Sequence, residues 1–184
     1  MRIRDVRTGE VTDHVSAWSA ASQPVPVGKG RFAFSGINGD RHAIVVMRTD
    51  GTEEAIRPIS TEGRTWYRWQ PATLTEFGNG IVSVLSIGDS FRQLRIEYHN
   101  LADGSAVRTQ LDTGGFIRPT YAIQVGDKVA VGGLDTLLVI DPVAGRVVRA
   151  TPDICLHVDR FVSVPGALLM KCQGAWLVYG AKER

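Results

Sequence analysis

Apolar residues in this chain come in short runs, about four to eight long, broken by Gly, Asp and Asn, the length and punctuation of β-strands. Val25 to Val27 and Arg31 to Ser35 read as strands either side of Gly28-Lys29-Gly30, and Ala43 to Met47 and Ala55-Ile56 follow. The next set is Ala72 to Phe77, Gly80 to Leu85, Gln93 to Tyr98 and Ala106 to Leu111. A third set is Tyr121 to Val125, Lys128 to Val131, Leu137 to Ile140 and Arg146 to Ala150. The last is Arg160 to Val164, Ala167 to Cys172 and Ala175 to Tyr179. No segment has a convincing helical period. Residues 15–21 are short, rich in small residues and followed by Pro24 and Pro26, and read as a connection.

The runs differ in kind. Lys128-Val129-Ala130-Val131 alternates, whereas Ala43 to Met47 and Leu137 to Ile140 are continuous. A continuous apolar strand is buried on both faces. A sandwich strand more often keeps one polar face, so continuous middle strands point to sheets covered on both sides.

An Asp or Asn followed within a few residues by Gly recurs four times between apolar runs: Asp5 to Gly9, Asp50-Gly51, Asn100 to Gly104 and Asp141 to Gly145. The glycines Gly9, Gly51, Gly104 and Gly145 are 42, 53 and 41 residues apart. A period near 40–45 marks a four-stranded repeat, and the 53-residue interval carries an insertion. The motif suits a hairpin: the carboxylate bonds turn amides and Gly takes positive φ without strain. Asp5 and Asp141 are therefore read as turn-formers, not catalytic acids.

These segments, Arg2-Ile3-Arg4-Asp5-Val6-Arg7-Thr8-Gly9 above all, resemble β-propeller repeats of the WD-repeat, YVTN and pyrroloquinoline-quinone-like type. Val139-Ile140-Asp141-Pro142-Val143-Ala144-Gly145 is the next best match, and no Gly-His dipeptide opens the repeats. The resemblance implies an all-β propeller of about four blades, with whole blades over 24–60, 71–112 and 120–151 and a partial blade over 156–184. It implies that strands within 1–15 complete the last blade, because strand material precedes the first whole repeat and the last repeat stops at Tyr179. Covering a sheet edge in this way removes an aggregation surface. Two arrangements fit: a closed ring of four blades, or about half of an eight-bladed ring completed by a second copy or by a missing half.

The 184 residues suffice for one domain with a substantial core. Net charge is +2 with the 21 basic residues scattered, which gives no electrostatic case for nucleic acid or a membrane surface. No apolar run approaches the roughly 20 residues of a membrane span. Met1 to Asp5 lacks the apolar stretch of a signal peptide, which points to a cytoplasmic protein or a piece of a longer chain. Cys155 and Cys172 leave one disulfide open, but the apolar strand around Cys172 favours a free thiol.

Recognisable chemistry is sparse. His14, His42, His99 and His157 fall at different phases of their repeats and should not converge on a metal. No Gly-x-Ser-x-Gly elbow, phosphate loop or calcium-binding Asp series occurs, and no cofactor is expected. The densest aromatic and cationic cluster is Arg64-Thr65-Trp66-Tyr67-Arg68-Trp69, between two repeats. Trp, Tyr and Arg dominate interaction hot spots, so Trp66, Tyr67, Arg68 and Trp69 are the expected anchors for a protein or peptide partner. The competing reading of the same residues is a strand with one packed face. A channel site would draw on Thr73, Thr75, Glu76, Gln124 and Arg160, which form no recognisable catalytic set. A homodimer through open blade edges is a further expectation.

Overall fold

A computed structural model describes residues 2–4, 8–13, 17–28, 30–62, 70–88, 92–113, 118–133, 136–151, 158–164 and 167–180. Every regular element among them is a β-strand. A short hairpin, β1 (Arg2–Arg4) and β2 (Val11–Asp13), forms its own two-stranded sheet. The first blade contains β3 (Ala20–Ala21), β4 (Val25–Pro26), β5 (Arg31–Asn38), β6 (Arg41–Arg48) and β7 (Glu53–Pro58). The second contains β8 (Thr73–Phe77), β9 (Gly80–Ile87), β10 (Gln93–Asn100) and β11 (Ala106–Asp112). The third contains β12 (Tyr121–Val125), β13 (Lys128–Gly132), β14 (Leu137–Asp141) and β15 (Arg146–Thr151). The fourth has three strands, β16 (Val158–Val164), β17 (Ala167–Cys172) and β18 (Ala175–Gly180).

All paired strands are antiparallel and follow chain order, except that β3 and β4 both pair with β5. The sequence reads residues 15–21 as connection, but Ala20–Ala21 pairs with Gly36–Ile37. The inner strand of the first blade is thus split into β3 and β4. Pro24, which has no N–H to give a ladder, lies in the break. The extra residues of the 53-residue interval lie partly in the β7–β8 connection, residues 59–72, against 113–120 for the next, and partly in β9 and β10, which are longer than β13 and β14.

Successive blades stack face to face and bury what the sequence patterned as continuous. Val27, Ala33, Ile44 and Val46 of the first blade pack with Leu74, Ile81 and Leu85 of the second. Val82, Val84, Leu94 and Ile96 pack with Val129, Val131, Leu138 and Ile140 of the third. Ala130 and Leu137 pack with Phe161, Leu168 and Met170 of the fourth. The inner strands β4, β8, β12 and β16 contact one another in that order, giving an arc of blades around a common axis.

The turns close as hairpin chemistry requires. Gly9, Gly51, Gly104 and Gly145 all have positive φ, from 65° to 88°. At Asp141 the Oδ1 accepts from the Val143 and Ala144 amides at 3.2 and 2.8 Å. Asp5 lies outside the described residues. Cys172 is disulfide-bonded, which corrects the free-thiol reading. Sequence spacing hid this: Cys172 ends β17 opposite Val158, at the start of β16. Cys155 lies outside the described residues.

One buried polar cluster sits inside the second blade. Arg95, Glu97 and His99 alternate along β10 and share a face. Glu97 is only 1% exposed. Its Oε1 accepts from Arg108 Nε at 2.8 Å, and His99 Nε2 lies 3.3 Å from its Oε2, at ion-pair distance without hydrogen-bond alignment. Ser83, opposite Glu97 on β9, is also fully buried. Arg95 Nη1 donates to Ser60 O and Oγ, both at 3.0 Å, which ties the second blade to the end of the first. Burial pushes the Glu97 carboxyl up, but His99 and Arg108 outweigh it and hold the group below its ordinary value of 4.5.

Two stability predictions follow from this packing. Gly145→Ala should cost about 2–3 kcal/mol in denaturant unfolding, because a Cβ there strikes the Thr109 side chain as well as straining the backbone. Gly126→Ala has the same positive φ and open space around it, and should cost only about 1 kcal/mol. The folded pKa of Glu97 lies below the unfolded one, so its contribution is complete above pH 4.5 and is lost as pH falls through the folded value. Glu97→Gln should lose about 2–3 kcal/mol at neutral pH, the low side for a broken buried pair because Arg108 stays half exposed. Its melting temperature should also fall less steeply than the wild type's below pH 4.5; an unchanged acid slope would remove Glu97 from that role.

Candidate functional site at the start of the inner strands

Two concave features among the described residues lie at the two ends of the inner strands. At the strand starts, a cleft of about 310 Å³ is lined by Ser22 to Val25, Gln70 to Leu74 and Pro119 to Ala122, so three successive blades contribute. Each contribution enters its strand through a proline: Gln23-Pro24, Gln70-Pro71 and Arg118-Pro119. Proline fixes φ and presents a flat apolar surface with no N–H to satisfy, so these entries make a preset, mostly uncharged wall.

Hydrogen bonds within and between blades hold that wall. Ser22 Oγ accepts from the Ser35 amide at 2.9 Å. The buried Ser35 Oγ accepts from the Ala72 amide at 2.9 Å, which fixes the approach to β8 against β5. Thr73 Oγ1 donates to Pro119 O at 3.1 Å, and the Thr120 amide donates to Gly132 O at 2.9 Å. Tyr121 forms the far side, its ring 6.1 Å from that of Phe161. A cleft of this size admits a side chain or a short peptide, and its polar wall atoms are already positioned.

At the opposite ends of β4 and β8, a groove of about 320 Å³ runs between the first two blades, lined by Val27, Gly28, Arg31, Glu76, residues 78–80, Leu101 and Ala102. Arg31 there is paired with Glu54 at 3.2 Å. In the third blade, Lys128 Nζ lies 2.6 Å from Asp127 Oδ2 and 3.1 Å from Asp141 Oδ2. Hydrogen bonds and charge from Lys128 hold the Asp127 carboxyl below its ordinary value. The Ala144 amide first, then Lys128, does the same for Asp141. Lys128 is raised in turn, by Asp127 before Asp141. This trio ties the β12–β13 hairpin to β14.

Three of the five inner-strand candidates are engaged within the protein. Thr73 and Thr75 donate to the carbonyls of Pro119 and Glu76. Gln124 donates to Gly126 O at 2.8 Å and accepts from the Gly78 amide at 3.4 Å, bridging two hairpins. Glu76 and Arg160 are exposed. Of the histidines, His42 and His99 are buried, on different blades, and His14 and His157 lie outside the described residues. Among the described residues no group of three or more His, Cys, Asp and Glu is placed to hold a metal ion, and no helix is long and apolar enough to cross a membrane.

Trp66, Tyr67, Arg68 and Trp69 lie outside the described residues. Their segment joins Glu62 directly to Gln70, a wall residue of the cleft. The cleft itself was not legible as a site from sequence. The available signal was the proline repeated at each strand entry, which reads equally as loop punctuation.

No family model and no curated protein matches this chain. Solved structures do. BamB from Moraxella catarrhalis aligns with a TM-score of 0.56 at 11% identity over 85% of this chain. This chain spans only 41% of the BamB chain's length. The WD40 domain of Neurospora crassa Pan2 gives 0.56 at 10% identity, over 86% of this chain and 46% of that one. The computationally designed Ika4 protein gives 0.60 at 16% identity, over 88% of this chain and 91% of that one. At these identities the likeness concerns the fold alone, and the chain has the β-propeller fold.

Proposed function

We propose that this protein is a non-catalytic module that binds a protein or peptide partner at the rim where its inner strands begin. The observation that carries the reading is the cleft to which three successive blades contribute proline entries and the Tyr121 ring. Its walls are fixed by Ser35, Thr73 and Thr120 before any partner arrives, which lowers the ordering cost of binding. Trp66, Tyr67, Arg68 and Trp69 immediately precede Gln70, a wall residue, in the sequence. These are the residue types that anchor interfaces. The inner-strand threonines and Gln124 spend their hydrogen bonds inside the protein, which favours binding over a reaction in the channel.

Peptides selected from a random displayed library against the wild-type protein provide the test. Trp66→Ala with Trp69→Ala should weaken the selected peptides more than tenfold, about 1.4 kcal/mol or more, with the melting temperature unchanged. Thr120→Trp, which fills the cleft, should weaken them as well. Full binding by both variants would remove the rim as the site.

A further inference from the structure

The rim cleft has already spent many of the backbone groups that could meet a ligand. Pro24, Pro71 and Pro119 carry no N–H. The amides near them are engaged inside the protein: Ser22 donates to Ser35 O, Ala72 to Ser35 Oγ and Thr120 to Gly132 O, each at 2.9 Å. Two wall carbonyls are engaged as well. Gln23 O accepts from Ser22 Oγ at 3.1 Å, and Pro119 O accepts from Thr73 Oγ1 at 3.1 Å. What the wall still presents is side-chain chemistry. It has the flat pyrrolidine rings, the Tyr121 ring packed on Phe161, and two donors, the Tyr121 hydroxyl and the amide of the exposed Gln23. No described residue lining the cleft is charged.

These groups discriminate between the recurring ways in which a protein holds a peptide. Strand addition needs a row of free N–H and C=O groups, and here the prolines and the spent amides interrupt the row. Capture of a terminal carboxylate or a phosphorylated side chain needs free amides or cations, and the lining offers neither charge nor those amides. A helix needs a continuous apolar groove for its anchors, whereas Ser22, Gln23, Gln70, Thr73 and Thr120 break up this wall. A polyproline II segment needs none of these. It makes no internal hydrogen bonds, so its carbonyls face outward as acceptors, and its prolines bring no N–H to be left unpaired on entry. Being stiff before it binds, it also loses little entropy.

We propose that the cleft takes an uncharged, proline-rich segment of a partner protein in the polyproline II conformation. Its pyrrolidine rings pack on Tyr121 and the wall prolines, and the Tyr121 hydroxyl and Gln23 amide donate to its carbonyls. Tyr121 and Gln23 are then the residues that set specificity. The proposal rests on the rim being a peptide site and names the class of peptide.

Titration of the full chain with fluorescent ten-residue peptides tests it. A peptide repeating Pro-Pro-Leu should bind about tenfold tighter than the same peptide with Ala at every Pro. Replacing its leucines with Glu or with Lys should weaken it in both cases, because the lining holds no opposite charge for either. Tyr121→Phe keeps the packing on Phe161 and removes the donor, so it should weaken the proline-rich peptide severalfold at an unchanged melting temperature. Gln23→Ala, at an exposed position, should do the same and keeps the test decisive should Tyr121→Phe fold poorly. Two failures are distinguishable. Library-selected peptides that lack proline, or that bind Tyr121→Phe and Gln23→Ala as well as the wild type, while Thr120→Trp still excludes them, would overturn the polyproline assignment and leave the rim as a peptide site. Selected peptides indifferent to Thr120→Trp and to the paired Trp66 and Trp69 substitutions would remove the rim itself, and this proposal with it.

Discussion

A sheet that is apolar on both faces cannot stand alone in water, and that constraint organises this molecule. β6 and β14 carry continuous apolar runs and β9 is buried almost throughout, so the faces they build must be covered on both sides. Stacking blades in an arc satisfies the requirement for every interior face, because Ile44, Ile96 and Leu137 each meet the next blade. Fully burying a side chain of this size contributes about 1.5–3 kcal/mol, and the three inter-blade clusters repeat that gain. Hairpin turns follow from the same plan. Strands that pair with their chain neighbours need tight reversals, which Gly51, Gly104 and Gly145 supply at positive φ.

Polar groups reinforce joints where apolar contact alone is unspecific. Glu97 is buried beside Arg108 and His99, and Arg95 reaches across to Ser60 at the end of the first blade. Burying such a cluster is costly unless every charge is matched. Its value is positional, since a slipped register of β10 would strand the Glu97 carboxylate opposite the wrong strands. Ser35 does a similar task in neutral form, fixing the approach to β8 from the neighbouring blade. The rim cleft depends on both joints, for it exists only where three strand entries are held in fixed relation.

Much of the fold was legible in the sequence because two-sided burial leaves a strong mark. Ala43 to Met47 has no polar member, and no solvent-facing strand has that composition. The turn glycines were legible because a positive φ restricts residue type. The split inner strand was not: Ala20–Ala21 is too short to show a period, and its pairing with Gly36–Ile37 is set by tertiary contact. Nor was the Cys172 bond, because register places Val158 opposite Cys172. The Glu97 cluster left a trace in the alternation Arg95-x-Glu97-x-His99, but burial could not be read from it. The cleft is assembled from residues nearly a hundred positions apart, Gln23 to Tyr121, and no local pattern encodes it.

Hydrogen exchange measured strand by strand tests the central claim that inter-blade burial carries this fold. The account predicts that β6, β9, β10 and β13 exchange slowest and together, because each lies between covered faces. β18, with Trp176 and Val178 exposed, should exchange much faster than β6, β10 and β14, its counterparts in the other blades. Equal protection of β18, or fast exchange in β9 and β13, would contradict it.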